Sequence, residues 1–333
     1  MKRIQFAVAL LAAYTGLIHA QVVTAPVGFV SVTVQPQSDV ALGAPLNRAE
    51  EFQGVIQSIS GNTLTVAGTP GWTANQFVYA SGTQPKTYYA RIDSGAKEGL
   101  IATISSNGTG SVTVTLPSGE DLTNISTNAA LVSPATTGDS ISIAPYWTPA
   151  SLVTGVVAGT QLLVYPTNIP GINLAAVTYV FNGTNWLQGA TNVNDVAFQF
   201  GQGLTLRNNS TSVQTISITG SVPMTGHRLL IKTLAATTRQ DVRFFYSSPV
   251  PETIGNVGLG FAPGDQLLFT DNAATGRNKA ATTLTWNGSN WLQGATVVTT
   301  TFQLQPGVSY IYRKNQTATP TNFVWSDLQS YLQ

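Results

Sequence analysis

Few residues in this chain could do chemistry, and they are scattered. There is no cysteine, which removes thiolate nucleophiles, thiolate metal sites and disulfide frameworks together. Of the two histidines, His19 falls in an apolar N-terminal run, leaving His227 to the rest of the chain. Histidine triads and multi-histidine metal sites are thereby largely excluded. His227, between Gly226 and Arg228, reads as a loop residue with no special role. Carboxylates are the remaining route to an enzyme, because glycoside hydrolysis needs only two at a suitable separation. The acidic pairs are adjacent ones, Glu50-Glu51 and Glu120-Asp121, and adjacent side chains on a strand point to opposite faces. Asp93, Lys97 and Glu98 lie in DSGAKEG, whose glycines lack the GK[ST] ending of a phosphate loop. Asp265, Asp271 and Asn272 offer hard oxygens suited to calcium. The matching stretch upstream has Thr160, Pro166 and Thr167 instead, so a plain turn is the preferred reading. The expectation is no catalytic group, no metal and no cofactor.

Aromatic side chains give a second kind of candidate. Trp72, Tyr88, Tyr89 and Trp147 fall in or near expected loops and strands, where exposed rings could stack on sugars. Trp186 and Trp291 could do the same, but they occupy equivalent places in a repeat, and a repeated Trp reads first as a core anchor.

That repeat is what must position everything else. Gly171 to Thr191 (GINLAAVTYVFNGTNWLQGAT) and Gly276 to Thr296 (GRNKAATTLTWNGSNWLQGAT) are identical at 14 of 21 positions, 105 residues apart. A single active site gives no reason to copy flanking strands and turns, whereas a structural unit does. In each copy a β-branched and aromatic run reaches Asn-Gly, at Asn182-Gly183 and Asn287-Gly288, residues that accept the positive φ of a tight hairpin. The return strand then carries the Trp.

Flanking segments extend the likeness. Asp39-Val40 matches Asp241-Val242, and GTQLL at 159–163 matches GDQLL at 264–268. Phe198–Arg207 parallels Phe302–Arg313, with Gly203 and Gly307 as turn or bulge glycines. The first copy reaches its counterpart only after about a hundred extra residues, so it reads as interrupted. The expected fold is all-β: two related β-sandwich-like modules, the first interrupted by an inserted small β-barrel or sandwich. The expected divisions are 21–51 and 147–222 for module 1, 52–146 for the insert, 223–328 for module 2 and 329–333 for a tail. Within the insert, Gly61-Asn62 marks a hairpin and Phe77 to Ala80 is expected to be a strand.

Residues 1–20 resemble a secretory signal peptide: Lys2 and Arg3, an apolar core from Ile4 to Ile18, then Ala20. That predicts an exported protein starting at Gln21, in the periplasm, on the cell surface or outside the cell. The apolar run is too short for a confident membrane span. Without Lys2 and Arg3 the chain holds 13 basic against 14 acidic residues, which gives no footprint for nucleic acid. Arg228, Lys232, Arg239 and Arg243 are the nearest thing to a basic cluster and read as a solvated strand face. Only 9% of residues are charged, but 43% are hydrophobic and fall in strand-like runs, which argues against disorder.

The order PVGFVSVTV, GVIQSIS, GTPGWTANQFVYA, SGAKEG and paired Asn-Gly/Trp hairpins resembles an uncharacterised family of exported, β-rich bacterial proteins of the Verrucomicrobia type. The resemblance implies no reaction. Two functional expectations follow. The first is a non-enzymatic structural, surface or assembly protein that self-associates. The alternative is a binder of cell-surface polysaccharide using aromatics of the insert.

Overall fold

A computed structural model describes residues 26–128, 137–316 and 318–333; the signal-peptide segment and Gln21 lie outside the described residues. The chain opens with β1 (Val27–Val34), whose alternating side chains bury Val32 and Val34 and expose Val27 and Phe29. A turn at Gln37 leads to β2 (Ser38–Leu42).

The insert follows as β3 (Phe52–Ser60), β4 (Thr63–Val66), β5 (Tyr88–Ile92), β6 (Ile101–Asn107), β7 (Ser111–Thr115) and β8 (Ser140–Pro145). These close into a barrel in the order β3-β4-β7-β6-β5-β8. Register shifts at Ile56/Ser58 and Ile104/Ser106 supply irregularities of the kind that let strands bend around so small a circumference. Phe77 to Ala80 is not a strand, because the closed barrel leaves no edge for it to join. It belongs to a turn-rich excursion that lowers Trp72 and Phe77 into the barrel core, held by Phe77 N donating to Asn107 Oδ1 at 2.9 Å.

Module 1 resumes with α1 (Pro149–Leu152), a single turn closed by reciprocal bonds between Thr148 and Ser151. Then come β9 (Gln161–Val164), β10 (Val177–Phe181), β11 (Trp186–Gln188), β12 (Thr191–Asn192), β13 (Leu204–Asn208) and β14 (Gln214–Ser221). The main sheet runs β12-β11-β10-β9-β13-β2, and β1 pairs with β14 across the core.

Module 2 comprises β15 (His227–Lys232), β16 (Gln240–Phe245), β17 (Glu252–Thr253), β18 (Gln266–Phe269), β19 (Thr282–Trp286), β20 (Trp291–Gln293), β21 (Thr296–Val297), β22 (Gln303–Leu304), β23 (Ser309–Lys314) and β24 (Asn322–Asp327). Its sheet, β21-β20-β19-β18-β23-β16, repeats that of module 1 strand for strand, and β15-β24 repeats β1-β14. The β17-β22 ribbon has no twin among the described residues, since at that point module 1 leaves for the barrel. Both hairpins share one turn: Asn182 Oδ1 accepts from the amides of Thr184 and Asn185, and Asn287 Oδ1 from those of Ser289 and Asn290. Gly183 and Gly288 take the positive φ (101° and 103°), while the asparagines act through their side chains. Gln161 pairs with Arg207 as Gln266 pairs with Arg313, which makes Gly201, not Gly203, the twin of Gly307. Their φ values, 78° and 73°, agree. Aligning the segments on Phe198 and Phe302 misses this by two residues.

The modules pair with each other by exchange. Asp39 N donates to Gly276 O at 3.1 Å, and Asp241 N donates to Gly171 O at 3.0 Å. Arg207 grips Asp39 at 2.7 and 2.9 Å, and Arg313 grips Asp241 at 2.7 and 3.0 Å. Asn278 N reaches Asp39 Oδ2 and Asn173 N reaches Asp241 Oδ2, each at 2.8 Å. Arg207 and Arg313 return the contact to Asn278 and Asn173 side chains. Gly43 N bonds Gly307 O just as Phe245 N bonds Gly201 O. This is the contact pattern of a two-fold dimer, residue i on j and j on i, built within one chain. It covers β2 and β16, which would otherwise be open sheet edges. Gly171, Asn173, Gly276 and Asn278 open the two repeats, so the first positions of the repeat are its docking motif.

Candidate functional site

The four aromatic candidates do not form a sugar platform. Trp72 is 7% exposed and packs edge-on between Phe52 and Phe77, with ring centroids 4.8 and 5.2 Å away. Tyr88 points into the same core and touches Phe77. Tyr89 faces out of the barrel, as strand alternation requires, but that face is covered by Tyr146 and Phe200 of the junction with module 1. Trp147 is half-buried, donates Nε1–H to Leu46 O at 2.8 Å and lies under Arg48. Trp186 and Trp291 are fully buried anchors, and Trp291 donates Nε1–H to Leu259 O at 2.9 Å.

The acids singled out in the sequence are held by partners. Glu50 and Asp93 hold the buried Arg91. Glu120 binds Arg228 through both oxygens, at 2.9 and 3.0 Å, and Lys97 at 3.5 Å. Asp121 pairs with Lys97, and Glu98 accepts from Gly226 N. The residues considered for calcium diverge. Asp265 is buried and accepts from Asn315 N, Ala262 N and the Tyr312 hydroxyl; Asp271 caps its own turn; Asn272 bonds both ways with the Ala41 backbone. No cluster of three or more His, Cys, Asp or Glu suited to a metal occurs among the described residues.

His227 is not a loop residue. It begins β15, is 1% exposed and packs against Trp325, Tyr246 and Phe200. Its Nδ1 bonds Ser247 Oγ at 2.8 Å, while Nε2 has no partner. Burial pushes its pKa down to about 3. The unfolded chain therefore binds the extra proton first as pH falls below the ordinary 6.5. Stability from this group is full above pH 6.5 and is lost toward pH 3, by about 2 kcal/mol at pH 5. Asp327, raised by burial in the same cluster, contributes with the opposite sign and softens the net slope. Urea melts at pH 7 and pH 5 should show a smaller acid loss for His227→Phe than for the natural chain; equal losses would contradict this.

Two features of the described residues stand out as open to contact. The first is a cleft of about 640 Å3 where barrel, module 1 and module 2 meet. The barrel contributes Thr115 and the loop from Leu116 to Glu120, and module 1 contributes Tyr165 to Asn168 and Phe200. The face of β15 bearing Arg228, Leu230 and Lys232 completes it, beside Arg243 of β16. The guanidinium of Arg243 lies 3.4 Å from the centroid of the Tyr165 ring. Burial lowers its pKa, while Tyr165 and Asp241 pull the other way. The basic cluster seen in sequence is thus not one solvated strand face: Arg239 is exposed, but Arg228 is spent on Glu120, and Arg243 and Lys232 line a cleft. Period-2 spacing of Arg228, Leu230 and Lys232 was the available signal; Tyr165 gave none.

The second feature is β1. Among the described residues, the backbone of Val27 to Thr33 bonds only to β14, leaving its other edge free. Val27 and Phe29 on it are 72% and 73% exposed. No helix among the described residues is long and apolar enough to cross a membrane. No protein-family model matches the chain, and comparisons with curated proteins and with solved structures returned no match.

Proposed function

We propose that this is an exported, non-enzymatic surface or assembly protein that adds further copies of itself at the free edge of β1. The observation that carries the reading is a contrast between edges. β2 and β16 are capped by the partner module, and β12 and β21 are only two residues long. Among the described residues, β1 alone combines eight residues, an unpaired side and exposed Val27 and Phe29. Short or covered edges resist pairing and long apolar ones invite it, through the main-chain bonding of strand addition. Support for export is the signal-like segment 1–20. Support for a non-catalytic role is that Glu50, Asp93, Glu120 and Asp121 are ion-paired and His227 is buried. The polysaccharide alternative loses its aromatics to the barrel core and the module junction.

Light scattering on the chain starting at Gln21 tests this. The natural protein should form oligomers that grow with concentration, and Phe29→Lys should return it to monomer with an unchanged circular dichroism spectrum. A natural chain that stays monomeric at millimolar concentration overturns the reading.

A further inference from the structure

The three-way cleft has chemistry that assembly does not use. The side chain of Lys232 makes no ion pair or hydrogen bond among the described residues, and that of Arg243 has only the Tyr165 ring. The two acids that border them cannot serve: Glu120 is held by Arg228 and Lys97, and Asp241 by Arg313 and Asn173. Two cations therefore face one concavity with no ion pair of their own among the described residues, in a chain that is otherwise near neutrality.

We propose that this cleft binds an anionic carbohydrate, with Arg243 and Lys232 holding its carboxylate or sulfate groups. An arginine seated on an aromatic ring has its planar fork of N–H donors fixed in direction and left for an outside acceptor. Charge-assisted bidentate bonds to an oxyanion are the strongest use of that fork. The remaining walls suit a sugar ring. Thr115, Ser118 and Asn168 present hydroxyl and amide groups that no side chain among the described residues engages, alongside Leu116, Leu230 and Phe200. A volume of about 640 Å3 lies within the range of small-ligand sites and holds a short oligosaccharide. Two free cations are far too few for a nucleic-acid track, whose affinity comes from many phosphate contacts. The site spans all three units, so the inserted barrel gains a purpose: it supplies one wall.

Calorimetry on the intact chain from Gln21 tests this with four probes: a galacturonate trisaccharide, a sulfated galactose trisaccharide, the uncharged galactose trisaccharide and inorganic phosphate. At least one acidic sugar should bind, at least about tenfold more tightly than the uncharged one, and more weakly as salt rises. Arg243→Gln should weaken it by about tenfold or more, and Arg243→Lys by less. Lys232→Gln, which leaves the Tyr165 contact intact, should weaken it several-fold and guards against a folding defect in the Arg243 variants. Failure of both acidic sugars to bind overturns the proposal. So does equal binding of the uncharged sugar, or binding of phosphate as tight as that of either acidic sugar. Because Phe29 does not line the cleft, the self-association result stands or falls separately.

Discussion

Trp291→Ala should destabilise the protein by about 3–5 kcal/mol, the range for removing a large ring from a well-packed core. Trp291 is 0% exposed and lies between Trp286 and Tyr312, with centroids 5.5 and 6.4 Å away. Truncation leaves a cavity between those rings and strips the Leu259 carbonyl of its donor. The surrounding sheet cannot collapse into the space, because β20 is short, fixed at its start by the Asn287 turn and the Trp291 N to Thr299 Oγ1 bond, and paired at its end with β21. Trp186→Ala should cost a similar amount, since its ring is equally enclosed beside Phe181. Urea denaturation measures both; a loss below about 1 kcal/mol would show that these rings do not anchor the modules.

Asp241→Ala is expected to cost about 2–3 kcal/mol, somewhat below the figure for a fully buried pair because Arg313 keeps partial contact with water. The change unbinds two guanidinium nitrogens and the Asn173 amide at once, and so releases the loop that caps β16. Asp39→Ala should do the same at the twin site. At Asp39, burial alone would raise the pKa, but bonds from Arg207 and the Asn278 amide hold it below the ordinary value. Its contribution is therefore present above pH 3.8 and lost as pH falls through the lowered value. The double variant should lose less than the sum, because either break already loosens the shared interface. Full additivity in urea melts would mean the two sites are independent.

Much of the architecture was legible in the chain because local rules wrote it. The Asn-Gly turns, the β-branched runs and the repeated Trp each follow from short-range chemistry that the sheet then keeps. The insertion was legible because one copy of a repeat was long. What escaped was tertiary. Phe77 to Ala80 carries strand-forming residues, yet the barrel closed without it. Tyr89 alternates outward, yet another unit covers it. His227 looked like a loop residue because its aromatic neighbours come from positions as distant as Trp325. The cleft joins Tyr165, Lys232 and Arg243, residues on separate strands or loops whose meeting no local pattern records. The reciprocal role of Gly171, Asn173, Gly276 and Asn278 was hidden in plain identity, since a repeat's conserved start looks the same whether it folds on itself or on its twin.

Amide hydrogen exchange, read residue by residue in the natural chain and in Asp241→Ala, tests the exchange between modules most directly. The structure requires slow exchange at both Asp39 and Asp241 in the natural chain, since each amide is bonded to the other module's glycine carbonyl. In the variant, exchange should quicken at residue 241 and also at Asp39, on a strand the substitution does not touch. Fast exchange at both positions in the natural chain, or an Asp39 amide indifferent to the change, would contradict the reciprocal pairing.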